Sequence, residues 1–150
     1  MYVHCSCGRR HWGPQGAAGL LLTDPARTGV VLQHRSPRVH QGGTWGLMGG
    51  AVEAGESPAA AALREAREEA GVPARSVVVL GTVPGLTHPE WSYTYVLAET
   101  SRPADPVLPG GRNWEADLTT WVDLGDVAGY ALHPSLRGDW ERLLGILAGD

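Results

Sequence analysis

Residues Gly50–Val72 read GAVEAGESPAAAALREAREEAGV, and this stretch decides the fold. Ser57 suits a helix N-cap, Pro58 the first helical position and Gly71 the left-handed stop, so the spacing predicts one helix between them. Ala59, Ala62, Leu63, Ala66 and Ala70 form a small-residue stripe at helical spacing, which packs closely on a sheet. Glu65, Glu68 and Glu69 fall at i, i+3 and i+4 on another face. Like charges at these spacings cost roughly 0.2–0.5 kcal/mol per pair. Anions in the last turns also oppose the helix dipole, by roughly 0.3–1 kcal/mol each. Arg64 can pair with Glu68 one turn on and offsets part of this. The rest of the charge calls for a cation, and a divalent metal supplies it.

Upstream, Gly42-Gly43-Thr44-Trp45-Gly46-Leu47-Met48-Gly49-Gly50, and then Gly55, read as a chain of turns that allows close backbone approach and leaves carbonyls free as ligands. Oxygen ligands without sulfur favour magnesium or manganese over zinc, and magnesium also binds substrate phosphates.

The segment resembles the signature box of the Nudix hydrolases, G-x5-E-x7-R-E-U-x-E-E-x-G-U. The matching residues are Gly50, Glu56, Arg64, Glu65, Ala66, Glu68, Glu69, Gly71 and Val72, with Ala66 smaller than the usual aliphatic residue. The resemblance implies an α/β Nudix fold, a mixed β-sheet sandwiched between helices, as a single domain over residues 1–150. It also implies hydrolysis of a nucleoside diphosphate linked to another group, by water attack on phosphorus with bound Mg2+ or Mn2+. On that basis Glu65, Glu68 and Glu69 are metal ligands, Glu65 or Glu69 is the general base, and the Gly49 carbonyl is a further ligand. Glu56 and Arg64 hold loop and helix in register, between Gly50 and Gly71. Glu115 precedes Trp121 by six positions, as does a metal-facing glutamate in the antimutator branch, so it joins the metal and catalytic set. Arg35 resembles the strand arginine that meets substrate phosphates, a task that suits a bidentate guanidinium.

Among the aromatics, Trp91 and Tyr93 are candidates to stack a nucleobase, with Trp45 and Trp114 behind them; the competing reading puts them in the core. At the amino end, residues 1–14 form an extension in which His4, Cys5, Cys7 and His11 are candidate ligands of a structural Zn2+. One residue between the cysteines, rather than two, speaks against it. A segment without the asparagine that reads oxidised guanine in the antimutator enzyme, Ala131-Leu132-His133-Pro134, weakens the resemblance to that specificity.

The chain of 150 residues carries a net charge of −4, which disfavours a non-specific nucleic-acid binder; its lack of lysine reflects coding composition more than function. It has no long apolar run or secretory leader, so a soluble cytoplasmic protein without membrane contact, monomer or homodimer, is expected. Strands are expected at 16–22 and 28–35 around an Asp24-Pro25 turn, then at 77–83, 91–97 and 118–124. A closing helix opens at Pro134. The leading expectation is a nucleoside triphosphate pyrophosphohydrolase acting on a small-molecule nucleotide. Its rivals are an ADP-ribose or nucleotide-sugar pyrophosphatase and a non-catalytic nucleotide sensor.

Overall fold

The computed structural model describes residues 2–4, 10–12, 16–35, 43–85, 92–101 and 116–149. A short hairpin of β1 (Tyr2–His4) and β2 (Arg10–Trp12) stands as its own two-stranded sheet. The main sheet has seven strands: β3 (Ala17–Thr23), β4 (Gly29–Arg35), β5 (Trp45–Gly46), β6 (Met48–Ala51), β7 (Val77–Pro84), β8 (Tyr93–Thr100) and β9 (Ala116–Asp123). Helices α1 (Pro58–Ala70) and α2 (Pro134–Gly149) follow β6 and β9.

Every residue of β3 is buried, because helices cover both of its faces and a strand of this kind loses polar alternation. Leu20 and Leu22 join the core under α1 with Val31, Met48, Ala61, Ala62 and Ala66, whereas Leu21 joins the core under α2 with Val30, Leu32, Tyr95, Trp140 and Leu143. Full burial of each of these leucines contributes about 1.5–3 kcal/mol. The expected mixed sheet between two helices is therefore observed, with β3 and β8 as its parallel pair and β7 antiparallel to β8.

The sheet forks. β3 and β4 pair at Thr23↔Val30, and β9 lines the other edge of β4. The gap that opens is filled by one run of chain, which first pairs with β4 (Gln33↔Gly46, His34↔Trp45) and then with β3 (Leu20↔Met48, Gly19↔Gly49, Ala18↔Gly50). The glycine-rich stretch read as turns is thus largely strand. Its glycines serve contact between strands: a Cβ on Gly49 would lie 2.2 Å from the Ala18 carbonyl oxygen and 2.8 Å from Gly19 Cα.

Helix α1 begins and ends as the sequence predicts. The Ser57 hydroxyl accepts the Ala60 N–H at 3.1 Å, and Gly71 closes the helix at φ 72° with its N–H on Arg67 O at 2.9 Å. Between β3 and β4 the Asp24 carboxylate accepts the N–H groups of Thr28 and Gly29, both at 2.8 Å, and the Thr28 hydroxyl at 2.7 Å. Burial alone would push this carboxyl up, but those donors hold it below its ordinary value. Helix α2 starts at Pro134, where His133 Nδ1 accepts the Ser135 N–H at 3.2 Å. His133 therefore sits at the entry to α2.

Candidate metal and active site

Arg64 organises the acidic face. Its Nε and one terminal nitrogen grip both oxygens of Glu56 at 2.8 and 3.0 Å, and the second also donates to Ala51 O at 3.1 Å. The other terminal nitrogen donates to Glu65 at 2.9 Å and to Glu68 at 3.1 Å. Glu53 lies within 3.6 Å as well. The Arg64 hydrogen bonds, with the Glu53 N–H adding to them, lower Glu56 to about 2. One guanidinium thus faces four carboxylates, and the cluster stays strongly negative. Through these contacts Arg64 on α1 reaches Ala51 and Glu56 of the preceding segment.

Glu69 behaves differently. It is only 5% exposed, on the buried side of α1, and its Oε1 accepts the Gly49 N–H at 3.0 Å. The N–H and C=O of a strand residue point to the same edge, so the Gly49 carbonyl also lies on the carboxylate side. Gly50 has no side chain to separate its backbone from Glu65: a Cβ there would come within 2.8 Å of the Glu65 carboxyl carbon and Oε1. Two carboxylates from successive turns of α1 therefore reach the two-glycine backbone of β6, which the fork leaves without β4 beside it.

Tyr93 lies at the start of β8 with its ring in edge contact with Tyr95, centroids 5.0 Å apart, and with its hydroxyl over Gly19. Burial pushes its phenol up; the Glu69 carboxylate adds to this and the Arg35 guanidinium opposes it. Glu69 and Arg35 are therefore each within electrostatic reach of the Tyr93 phenol. Trp45 packs between His34 and Tyr130 on the α2 side, at centroid distances of 4.8 and 5.2 Å, a core position.

Among the described residues no three carboxylate, imidazole or thiol groups already converge as a metal cage. Glu65 and Glu68 turn toward Arg64, and Glu69 toward Gly49. The donor set still suits a hard divalent cation, because magnesium keeps several waters and needs only one or two protein carboxylates. Glu65, Glu69 and the Gly49 carbonyl are the residues that could hold it, with Glu68 exposed beside them. Glu115, Trp91, Trp114, Cys5 and Cys7 lie outside the described residues. His4 pairs with Arg10 and His11 with Val3, so these two candidate zinc ligands are not cross-strand partners, and nothing described supports zinc.

Three features went unread in the sequence. Glu53 joins the Arg64 cluster, although its sequence signal, an acid three residues before Glu56, was available. Asp139 on α2 is 4% exposed and accepts the Tyr95 hydroxyl at 2.6 Å. Gln33 and Thr119 are buried polar side chains on paired positions of β4 and β9.

A forked mixed sheet between two helices, with a carboxylate-bearing helix docked on a glycine strand, is an architecture shared with solved Nudix hydrolases. A sequence model of the NUDIX domain matches residues 13–142, and the chain belongs to the Nudix hydrolase family. It is 42% identical over 150 residues to a Mycobacterium tuberculosis protein named "Putative 8-oxo-dGTP diphosphatase 3", an alignment covering 95% of this chain and 67% of that one. It is 41% identical to the "Nucleoside triphosphate pyrophosphatase/Nudix hydrolase fusion protein" of Bifidobacterium longum, over 94% of this chain and 30% of the relative, and so spans under a third of that protein. Among solved structures, the Nudix hydrolase RenU of M. smegmatis superposes with a TM-score of 0.86 at 39% identity, over 99% of this chain and 95% of the other. Among the described residues no helix is long and apolar enough to cross a membrane.

Proposed function

We propose that this chain hydrolyses a nucleoside triphosphate to the monophosphate and pyrophosphate, with Mg2+ as cofactor and Mn2+ as its substitute. The observation that carries this reading is the buried Glu69 carboxylate tied to the Gly49 N–H, with the Glu65 carboxylate against Gly50. The printed names of two relatives, one for 8-oxo-dGTP and one for nucleoside triphosphates, favour a triphosphate. When bound, the metal neutralises phosphate oxygens and acidifies water. Glu65 and Glu69, with the Gly49 carbonyl and with Glu68 and Glu115 as further ligands, hold it. Glu65 or Glu69 takes the proton as a water oxygen bonds to phosphorus. The bridging P–O bond then breaks and pyrophosphate leaves. Arg35 grips phosphate oxygens, and Arg64 orients Glu65 while fixing the loop through Glu56. Phosphoryl transfer needs chiefly alignment and charge neutralisation, and these residues supply both.

The proposal takes residues 1–150 as one Nudix domain in which 1–14 form an amino-terminal extension; the family match starting at residue 13 and the separate β1–β2 sheet support that division. It places the protein in the cytoplasm, acting on a free nucleotide as a monomer or homodimer rather than on nucleic acid or membrane. The test is phosphate release coupled to a pyrophosphatase across nucleoside triphosphates, ADP-ribose, nucleotide sugars and dinucleoside polyphosphates, with magnesium and with chelator. Metal-dependent turnover of triphosphates above the others is expected. Preference for ADP-ribose or nucleotide sugars would support the rival pyrophosphatase, and no turnover anywhere would support a sensor.

A further inference from the structure

Of the three buried side-chain polar atoms without a hydrogen-bond partner among the described residues, on Gln33, Thr100 and Thr119, two face each other across β4 and β9. Gln33 is 5% exposed and Thr119 is 1% exposed, yet Gln33 Nε2 and Thr119 Oγ1 have no hydrogen-bond partner among the described residues. They are directly paired across the β4–β9 ladder, so they share a face. That face is the α1 side, because Val31 and Trp121, the preceding pair in the same phase, pack in the α1 core. On the other edge of β4, Gln33 pairs with Gly46. Among the described residues a Cβ on Gly46 would meet only His133 Cβ, at 3.9 Å.

Gly46 and Gly50 have the same phase on one continuous run of chain, and the Glu65 carboxylate lies against Gly50. At a strand rise near 3.3 Å, Gly46 is roughly 10–13 Å along that run from the Gly49-Gly50 pair. A ligand that meets a buried donor the fold leaves unpaired removes the cost of burying it. Gln33 and Thr119 are neutral, so they suit an uncharged hydrogen-bonding edge better than a phosphate.

We propose that Gln33 and Thr119 form the edge that selects the nucleobase, with the heterocycle over Gly46 and its phosphates running toward Glu65 and Glu69. This rests on the nucleotide reading given above and adds specificity residues to it. Direct binding separates the two, because it needs no turnover. Titration calorimetry with the four nucleoside monophosphates and with ribose 5-phosphate would be run on the wild-type chain, Gln33→Met and Thr119→Val. The wild type should bind at least one monophosphate tenfold or more tighter than ribose 5-phosphate. Each substitution should erode that preference by about tenfold while leaving ribose 5-phosphate affinity unchanged. Thr119→Val, which keeps the side-chain volume, should melt at or above the wild-type temperature. If Gln33→Met does not fold, Thr119→Val alone decides. Equal losses for monophosphates and ribose 5-phosphate, unchanged base preference, or a wild type that ignores the base would each overturn the proposal. The coupled turnover assay tests the hydrolase reading independently of these outcomes.

Discussion

Glu56, gripped by Arg64, and Glu69, set apart on the buried side of α1, have surroundings that give them different work. Glu69 is buried and bonded to a backbone N–H, so Glu69→Gln preserves its shape while removing charge. Turnover should fall at least about a hundredfold with the melting temperature little changed; near-normal rates in steady-state assays would contradict the role. Glu56 is held at about 2, below its ordinary 4.5, chiefly by the Arg64 hydrogen bonds. A depressed carboxyl contributes stability above its unfolded value and loses it as pH falls through its folded value. Glu56→Gln should therefore melt lower than wild type at pH 7, by about 3 °C or more. That gap should close between pH 4.5 and pH 2, and calorimetric melts showing a constant gap would count against the pairing. Glu69 was legible because fixed spacing on a helix determines which acids share a turn, and Glu56, in the loop before α1, because of its place in the stretch that resembles the Nudix signature. Gln33 and Thr119 were not. Pairing β4 with β9 requires knowing the sheet, and no local pattern in the residues around 33 contains that.

Strand β6 shows two adjacent glycines with different jobs. Gly49 touches backbone, and its missing Cβ would overlap the Ala18 carbonyl. Gly49→Ala must push β6 from β3 and should destabilise the fold by about 2–3 kcal/mol or more, visible in denaturant melts. Gly50 instead touches the movable tip of Glu65, so Gly50→Ala should fold and lose activity as that carboxylate is displaced. Equal stability losses in the two variants would contradict the distinction. Helix α2 is fastened through the buried Tyr95–Asp139 bond at 2.6 Å, with Arg142 3.6 Å from the same carboxylate. Tyr95→Phe should cost about 1–3 kcal/mol by urea unfolding, because a buried acceptor loses its donor; no change would show that the bond adds nothing. The ends of α1 were readable from Ser57, Pro58 and Gly71, since caps are local chemistry. The strands at Trp45–Gly46 and Met48–Ala51 are not legible in the sequence, because glycines that permit close strand approach carry the same letters as glycines that turn a chain.

At the scale of the whole molecule, the layered architecture followed from the box helix, the apolar strands and the α2 stripe. The fork did not, since it depends on where β4 leaves β3 and on what fills the opening. The fork leaves Gly49 beside Glu69 and Gly50 beside Glu65, so a backbone feature of the sheet and a charge feature of the helix make one site. Arg64 balances part of that charge, and the remainder is assigned to divalent ions that a nucleotide's phosphates complete. The most direct test is manganese binding followed by electron paramagnetic resonance, with a nucleoside triphosphate present, in the wild-type chain and in Glu65→Gln/Glu69→Gln. The wild type should suppress the free-ion signal in proportion to protein beyond what nucleotide alone removes, and the double variant should not. Equal signals in the two proteins would contradict the assignment.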